Sequence, residues 1–225
     1  MADFLTPASF QARKFLAQQG HTVQHQPVLE VLAALLGYKS FAALKVEEGL
    51  PRQDYYLDDA EVLVLNEPEG LARAQSLSLP GDQVVPRCID ALKALCPVPV
   101  FVGVQDFYDL HAQEALAGAI YDSDDVSGAM ADTGASYEDD PEMDGEWKAD
   151  DLWHSQQSWS IEDGGTLSGD PVGERIFAGD TLLCHGALIY AKAGRAGLVL
   201  IDTTGGASVD DSWRDQGWNQ YDNRQ

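Results

Sequence analysis

Residues 29–44 read LEVLAALLGYKSFAAL. With Val28 just ahead, the apolar positions Val31, Leu32, Leu35 and Leu36 recur at helical spacing and line one stripe. Gly37 suits the left-handed residue that closes a helix, and Ser40 suits the N-cap of a third helix, FAALKVEE. A helix, glycine turn and second helix can be a packing unit or a DNA reader, and a reader needs cations to hold phosphates. Here Arg13, Lys14, Lys39 and Lys45 are matched by Asp3, Glu30, Glu47 and Glu48. The whole chain carries 37 Asp and Glu against 14 Lys and Arg, a net charge of −23. Such a chain repels phosphate backbones, so residues 29–44 are read as a core helix with its turn and supporting helix, and no direct nucleic-acid contact is expected.

Before this stretch, Thr6 or Ser9 is a candidate cap for a helix carrying Phe10, Phe15 and Leu16, and Pro27 opens the second helix. After it the pattern alternates. AEVLVLN reads as a buried strand, and EGLARAQSL and DQVVPRCIDALKALC as helices. In the longer helix Val85, Ile89, Leu92 and Cys96 share a face, with Pro86 expected in the first turn. VPVFVGV reads as a strand, and DFYDLHAQEALAGAI as a helix capped by Asp106. In the last third RIFAGD, TLLCHGALIYAK and GLVLID read as strands, with AKAGRAG the hairpin turn between the last two. The expected fold class is α+β: an N-terminal helical module, a mixed α/β layer and a C-terminal antiparallel β-rich part. The domain reading is a module over 1–50 and a body over 51–225. The body holds an acidic loop, 121–151, and a polar tail, 203–225, that carries Trp213, Trp218 and Tyr221.

Residues 6–46 also carry a resemblance. The features are the basic pair Arg13 and Lys14, the turn at Gly20, His25 ahead of the second helix, then LE-x-LA-x-x-x-GY and the aromatic Phe41. Together they resemble the N-terminal helical module of glyoxalase-superfamily-related proteins and of plasmid and integrative-element proteins. That family often has Ser after the His and Trp at the last aromatic, where this chain has Gln26 and Phe41. The resemblance implies a bacterial, mobile-element or inter-bacterial-conflict setting. It supplies no catalytic residue, and the metal-binding glyoxalase body finds no counterpart in the remainder.

Residues 121–151 hold twelve carboxylates and a single lysine, Lys148. A solvated loop is the expectation for such a run, with VSGAMADTGASYE as a candidate edge strand. Concentrated negative potential steers and grips a basic protein. The candidate interaction residues are Asp139, Asp140, Glu142, Asp144, Glu146, Trp147, Asp150, Asp151 and Trp153. Tyr137, Trp147, Trp153 and Trp159 interleave with the acids as aromatic anchors would. The expected partner is a basic protein such as a nuclease toxin, so the chain reads as immunity- or antitoxin-like, or as a nucleic-acid mimic. The N-terminus shows no secretory signal and no window approaches the ~18 apolar residues of a membrane span, so no membrane association is expected. Three cysteines without a repeated spacing suit reduced thiols in a cytoplasm.

Other chemistries are weaker. Cys184, His185 and Asp202 offer a nucleophile, base and orienter, and so an alternative Cys-dependent hydrolase or lyase. Adjacent residues of a strand point to opposite faces, which separates Cys184 from His185. The acids lack the spacing of a calcium loop and the histidines lack zinc spacing, so no metal and no cofactor is expected, although a carboxylate-bound metal would serve the same alternative. The glycines of EDGGTLSGDPVGERI lack the Gly-Lys-Ser/Thr ending of a phosphate loop and read as a turn-rich connector. A third reading is an architectural subunit that docks through residues 1–50.

Overall fold

The computed structural model describes residues 4–50, 54–173 and 179–212. The fold is α+β, with helices gathered towards the N-terminus and strands towards the C-terminus. Two compact units form. Unit 1 comprises 1–109, 150–159 and 190–201, and unit 2 comprises 110–149, 160–189 and 202–225.

Unit 1 begins with α1 (Leu5–Gln18), α2 (His25–Leu35) and α3 (Phe41–Glu47). Neither Thr6 nor Ser9 caps α1, because the helix starts at Leu5 and both lie inside it. Ser9 is buried instead, with its hydroxyl 2.7 Å from His25 Nδ1 at the start of α2. The His25 ring stacks on Phe10 at 4.9 Å. Helix α2 is buried almost all round, from Val28 and Leu29 through Val31 to Leu35. Gly37 sits at φ +82°, and the Tyr38 N–H reaches back to the Ala33 carbonyl at 2.9 Å, closing α2 as expected. Ser40 then caps α3 by accepting the Ala43 N–H at 3.1 Å.

Strand β1 (Val62–Leu65) is buried at every residue and runs parallel to β2 (Val100–Val102). A parallel pair needs a crossover, which α4 (Glu67–Ser76) and α5 (Gly81–Leu95) supply. Asn66 caps α4 through the Glu69 N–H at 3.1 Å. Pro86 lies inside α5 rather than in its first turn, because the helix begins at Gly81. Its absent N–H leaves the Asp82 carbonyl without the usual helical donor. On its other side β1 pairs antiparallel with the start of β9 (Gly197–Val209), Val62 opposite Leu198. One core joins Leu16, Leu32, Leu35, Leu63, Leu65, Val85 and Leu92 with Ala193 and Ala196. Phe107 lies edge-on to Trp159 and Tyr190, at 6.0 and 5.8 Å, in a second aromatic cluster of the same unit.

The chain crosses into unit 2 through α6 (Gly103–Phe107), a π-helical turn (Tyr108–Ala112) and α7 (Gln113–Tyr121). Asp106 does not sit at the N-cap. The helix begins three residues earlier, at Gly103 with φ +84°, and the Asp106 carboxylate accepts the Val102 N–H at 2.7 Å.

In unit 2 the acidic stretch holds one helix and short strands between irregular segments. Residues VSGAMA belong to α8 (Asp124–Ala131), not to a strand. Ser123 caps α8 by accepting the Val126 N–H at 3.2 Å, and Asp124 and Asp125 face the positive end of its dipole. Only β3 (Ala135–Ser136) of the expected edge strand forms, paired with β7 (Asp170–Pro171). Strands β4 (Glu142–Met143) and β5 (Lys148–Ala149) both pair antiparallel with β6 (Ser158–Ser168). Of the glycines read as a connector, Gly164 and Gly165 lie in β6, whereas Gly169 and Gly173 lie outside any strand. A Cβ on Gly165 would fall 2.3 Å from the Glu142 carbonyl, so glycine there admits the neighbouring backbone. With β8 (Thr181–Ala193), the strand order in this unit is β9, β8, β6, β4. Ile120, Val126, Leu167, Leu182 and Cys184 form its core. The expected RIFAGD strand lies mostly outside the described residues, as do Trp213, Trp218 and Tyr221 of the tail, whereas 203–209, read as the start of that tail, continue β9. Among the described residues no helix is long and apolar enough to cross a membrane.

Candidate functional site

Every one of the twelve carboxylates in 121–151 is exposed. Asp124 and Asp125 lie in α8 and Glu142 in β4, the other nine lie outside helix and strand, and Val126, Thr133 and Ala135 are buried between them. The nine interaction candidates divide between the units. Asp139, Asp140, Glu142, Asp144, Glu146 and Trp147 belong to unit 2, while Asp150, Asp151 and Trp153 belong to unit 1. Lys148 is the only Lys or Arg among the described residues of unit 2. A cleft of about 410 Å³ in this unit is lined by Glu146, Lys148, Glu162, Asp163 and His185. Asp163 is buried, and its two oxygens accept the Gly145 and Gly164 N–H groups at 3.1 and 2.8 Å. That bridge fixes the turn between β4 and β5, where Gly145 takes φ +74°.

The aromatic residues among the acids have internal partners. Trp159 is 3% exposed, and its indole N–H donates to the Asp150 carbonyl at 2.8 Å. Trp153 is half-buried and donates to the Val64 carbonyl at 2.9 Å. The Tyr137 hydroxyl donates to Thr133 Oγ1 at 3.1 Å.

Cys184 and His185 lie on opposite faces of β8. Cys184 is buried beside Leu182 and His185 is exposed. Burial raises the Cys184 thiol above the ordinary range, away from the thiolate a nucleophile requires. The His185 ring lies against Gly206, and the exposed Asp202 carboxylate accepts the neighbouring Thr203 N–H at 2.9 Å. Among the described residues no three His, Cys, Asp or Glu side chains converge to hold a metal ion.

Unit 1 holds a polar constellation that no motif announced. A cleft of about 650 Å³ is lined by Glu47, Asp54, Tyr55, Trp153, Lys192 and Arg195, among others. Arg195 grips Glu47 through Nε at 3.1 Å and Nη2 at 2.8 Å, a forked pair, and its guanidinium lies 5.3 Å from the Tyr38 ring centroid. The Tyr38 hydroxyl accepts the Arg195 N–H at 3.3 Å and donates to buried Glu48 at 3.2 Å. Burial pushes the Glu48 carboxyl upwards, although the Leu57 N–H and the Tyr38 hydroxyl both oppose this. Lys192 is 6% exposed, and its Nζ donates to the Arg195 carbonyl at 2.7 Å and the Leu152 carbonyl at 3.0 Å. Burial pushes this amine down to about 7, with Asp151 opposing the shift. The one sequence signal was the pair of cations in AKAGRAG, placed in an otherwise apolar hairpin. No family model matches this chain, and no match was found to a curated protein or to a solved structure.

Proposed function

We propose that this protein is a non-enzymatic, acidic interaction protein that binds a basic protein partner through unit 2. The observation that carries the reading is the exposure of all ten carboxylates of 121–149, the part of the acidic run that belongs to unit 2. A dense array of like charge, with Lys148 as the only described Lys or Arg of its unit, raises local negative potential. Such a surface accelerates encounter with a cationic protein and disfavours nucleic acid and anionic lipid. The resemblance of residues 6–46 favours a bacterial mobile-element or inter-bacterial-conflict setting, with an immunity- or antitoxin-like role. The free cysteines suit the cytoplasm.

The test starts with capture of partners by the intact chain and by a variant with Asp139, Asp140, Glu142, Asp144 and Glu146 changed to their amides. The Kd of a captured basic protein should weaken at least about tenfold between roughly 0.05 and 0.5 M salt, and the amide variant should lose most of that dependence. A Kd that stays flat with salt, or that the amide variant leaves unchanged, would sink the reading.

A further inference from the structure

Strand β9 has an edge that the described part of the sheet leaves open. It lies between β1 and β8, but β1 meets it only at Gly197 and Leu198. The Leu200 N–H then goes to the Glu61 carboxylate at 2.9 Å. Beyond that residue no described strand lies on this side, although β9 runs on to Val209. The continuation, 202–209, belongs to unit 2. At its far end the Asp210 N–H donates to the Thr181 carbonyl of β8 at 2.9 Å. Successive residues of a strand direct their N–H and C=O groups to opposite edges, so Ser208 faces the open side's opposite, β8, only if its neighbours alternate: counting back from Asp210, Val209 and Ala207 present theirs to the open side and Ser208 to β8. The segment is accessible. Thr203, Thr204 and Ser208 are exposed, and Gly205, Ala207 and Val209 are half-buried. Ala207 and Val209 pack their side chains against the core of Ile120, Val126 and Leu182, so the backbone is what they offer outwards. Open edges are ordinarily guarded by charge or proline, and 203–209, TTGGASV, carries neither.

We infer that this edge of β9 receives an extended segment of a basic protein as an added strand. The inference rests on the acidic-surface reading and names the element that the partner engages. Charge selects the occupant. The described residues of unit 2 include 18 Asp and Glu against Lys148 as the only Lys or Arg. Some of these acids stand at the strand itself: Asp202 and Asp210 flank the segment, and Thr204 lines the same cleft as Glu146 and Glu162. A second copy pairing through this edge would bring two such arrays together and be repelled. A strand bearing Lys or Arg gains the same main-chain hydrogen bonds and is attracted by the carboxylates.

The experiment uses the full chain at low salt with two peptides of equal charge, five repeats of Lys-Thr and five repeats of Lys-Pro. Proline has no N–H, so the second peptide keeps the cations and loses every second ladder donor. Affinity is measured by calorimetry and backbone amide exchange by NMR. The Lys-Thr peptide should bind at least about tenfold more tightly and slow exchange of the Ala207 and Val209 amides at least about tenfold, while the Ser208 amide, which faces β8, changes little. Equal affinity for the two peptides overturns the inference and leaves the acidic-surface reading standing. Binding of the Lys-Thr peptide without protection at Ala207 and Val209 does the same, as does protection of both amides in the free chain equal to that of Ser208. Failure of both peptides to bind at low salt removes the acidic-surface reading, and this inference with it.

Discussion

The Tyr38 hydroxyl donates to Glu48 Oε1 at 3.2 Å directly beneath Gly194, the turn glycine that joins β8 to β9. Gly194 takes φ +63°, and a Cβ there would fall 2.7 Å from the Tyr38 hydroxyl and 2.8 Å from Glu48 Oε1. Left-handed backbone and missing space act together, so Gly194→Ala is expected to destabilise the fold by more than about 2 kcal/mol. Urea unfolding measures this directly. A loss under about 0.5 kcal/mol would mean that the turn tolerates a side chain after all.

Glu48 makes part of the stability depend on pH. Its carboxyl is raised in the folded state, so between the ordinary glutamate range and its folded value the folded chain holds the proton more tightly than the unfolded chain. The contribution is therefore complete at acid pH and is lost as pH rises through the folded value. Glu48→Gln removes this titration and keeps an oxygen for the Leu57 N–H, now accepted by the carboxylate at 3.1 Å. Unfolding of both proteins from pH 4 to 7 should show the variant gaining on the wild type as pH rises. A constant difference across that range would show that Glu48 does not titrate abnormally.

These relationships mark where sequence reading succeeds. Helix α2, its Gly37 closure, the Ser40 cap and the β8–β9 hairpin rest on residues within a few positions of one another, and each follows from local rules. Local rules make Ser9 a cap, whereas its partner, His25, is 16 residues away and invisible to them. Gly165 looked like a turn residue because the carbonyl that requires it, Glu142, belongs to another strand. The acid run concealed α8, although the Ser123 cap was present in the sequence, because charge density outweighed a local helix signal. The exposure of the acids was legible from composition alone. The Lys192 cleft was not: Glu47 and Arg195 lie 148 residues apart, and Lys192 reaches a carbonyl 40 residues away.

Lys192 predicts a second pH dependence of opposite sign. Its folded value, about 7, lies below the 10.5 of a free lysine, so between the two the unfolded chain binds more protons. The burial penalty is full below about 7 and disappears as pH rises towards 10.5. The wild type should therefore gain about 2–4 kcal/mol over that window relative to Lys192→Met, which cannot titrate. The comparison with the variant removes contributions from other groups. Parallel stability curves for the two proteins from pH 7 to 10 would show that Lys192 keeps its charge in the fold.

The acids of unit 2 should also respond to salt without any partner. All twelve in 121–151 are exposed, with Lys148 the only described Lys or Arg of the unit to offset those that belong to it. Folding brings these charges closer together than they lie in an extended chain, and their mutual repulsion opposes the compact state. At about 0.02 M salt the screening length exceeds 20 Å, and by about 0.3 M it falls to near 6 Å, shorter than most separations in such an array. The melting temperature should therefore rise by about 2–5 °C over that range. Changing Asp139, Asp140, Glu142, Asp144 and Glu146 to amides should raise the low-salt value and flatten the response. Sodium and potassium chloride must give the same curve, because screening depends on ionic strength alone and a specific ion site would separate them. If the amide variant keeps the full salt response, the repulsion lies elsewhere in the chain.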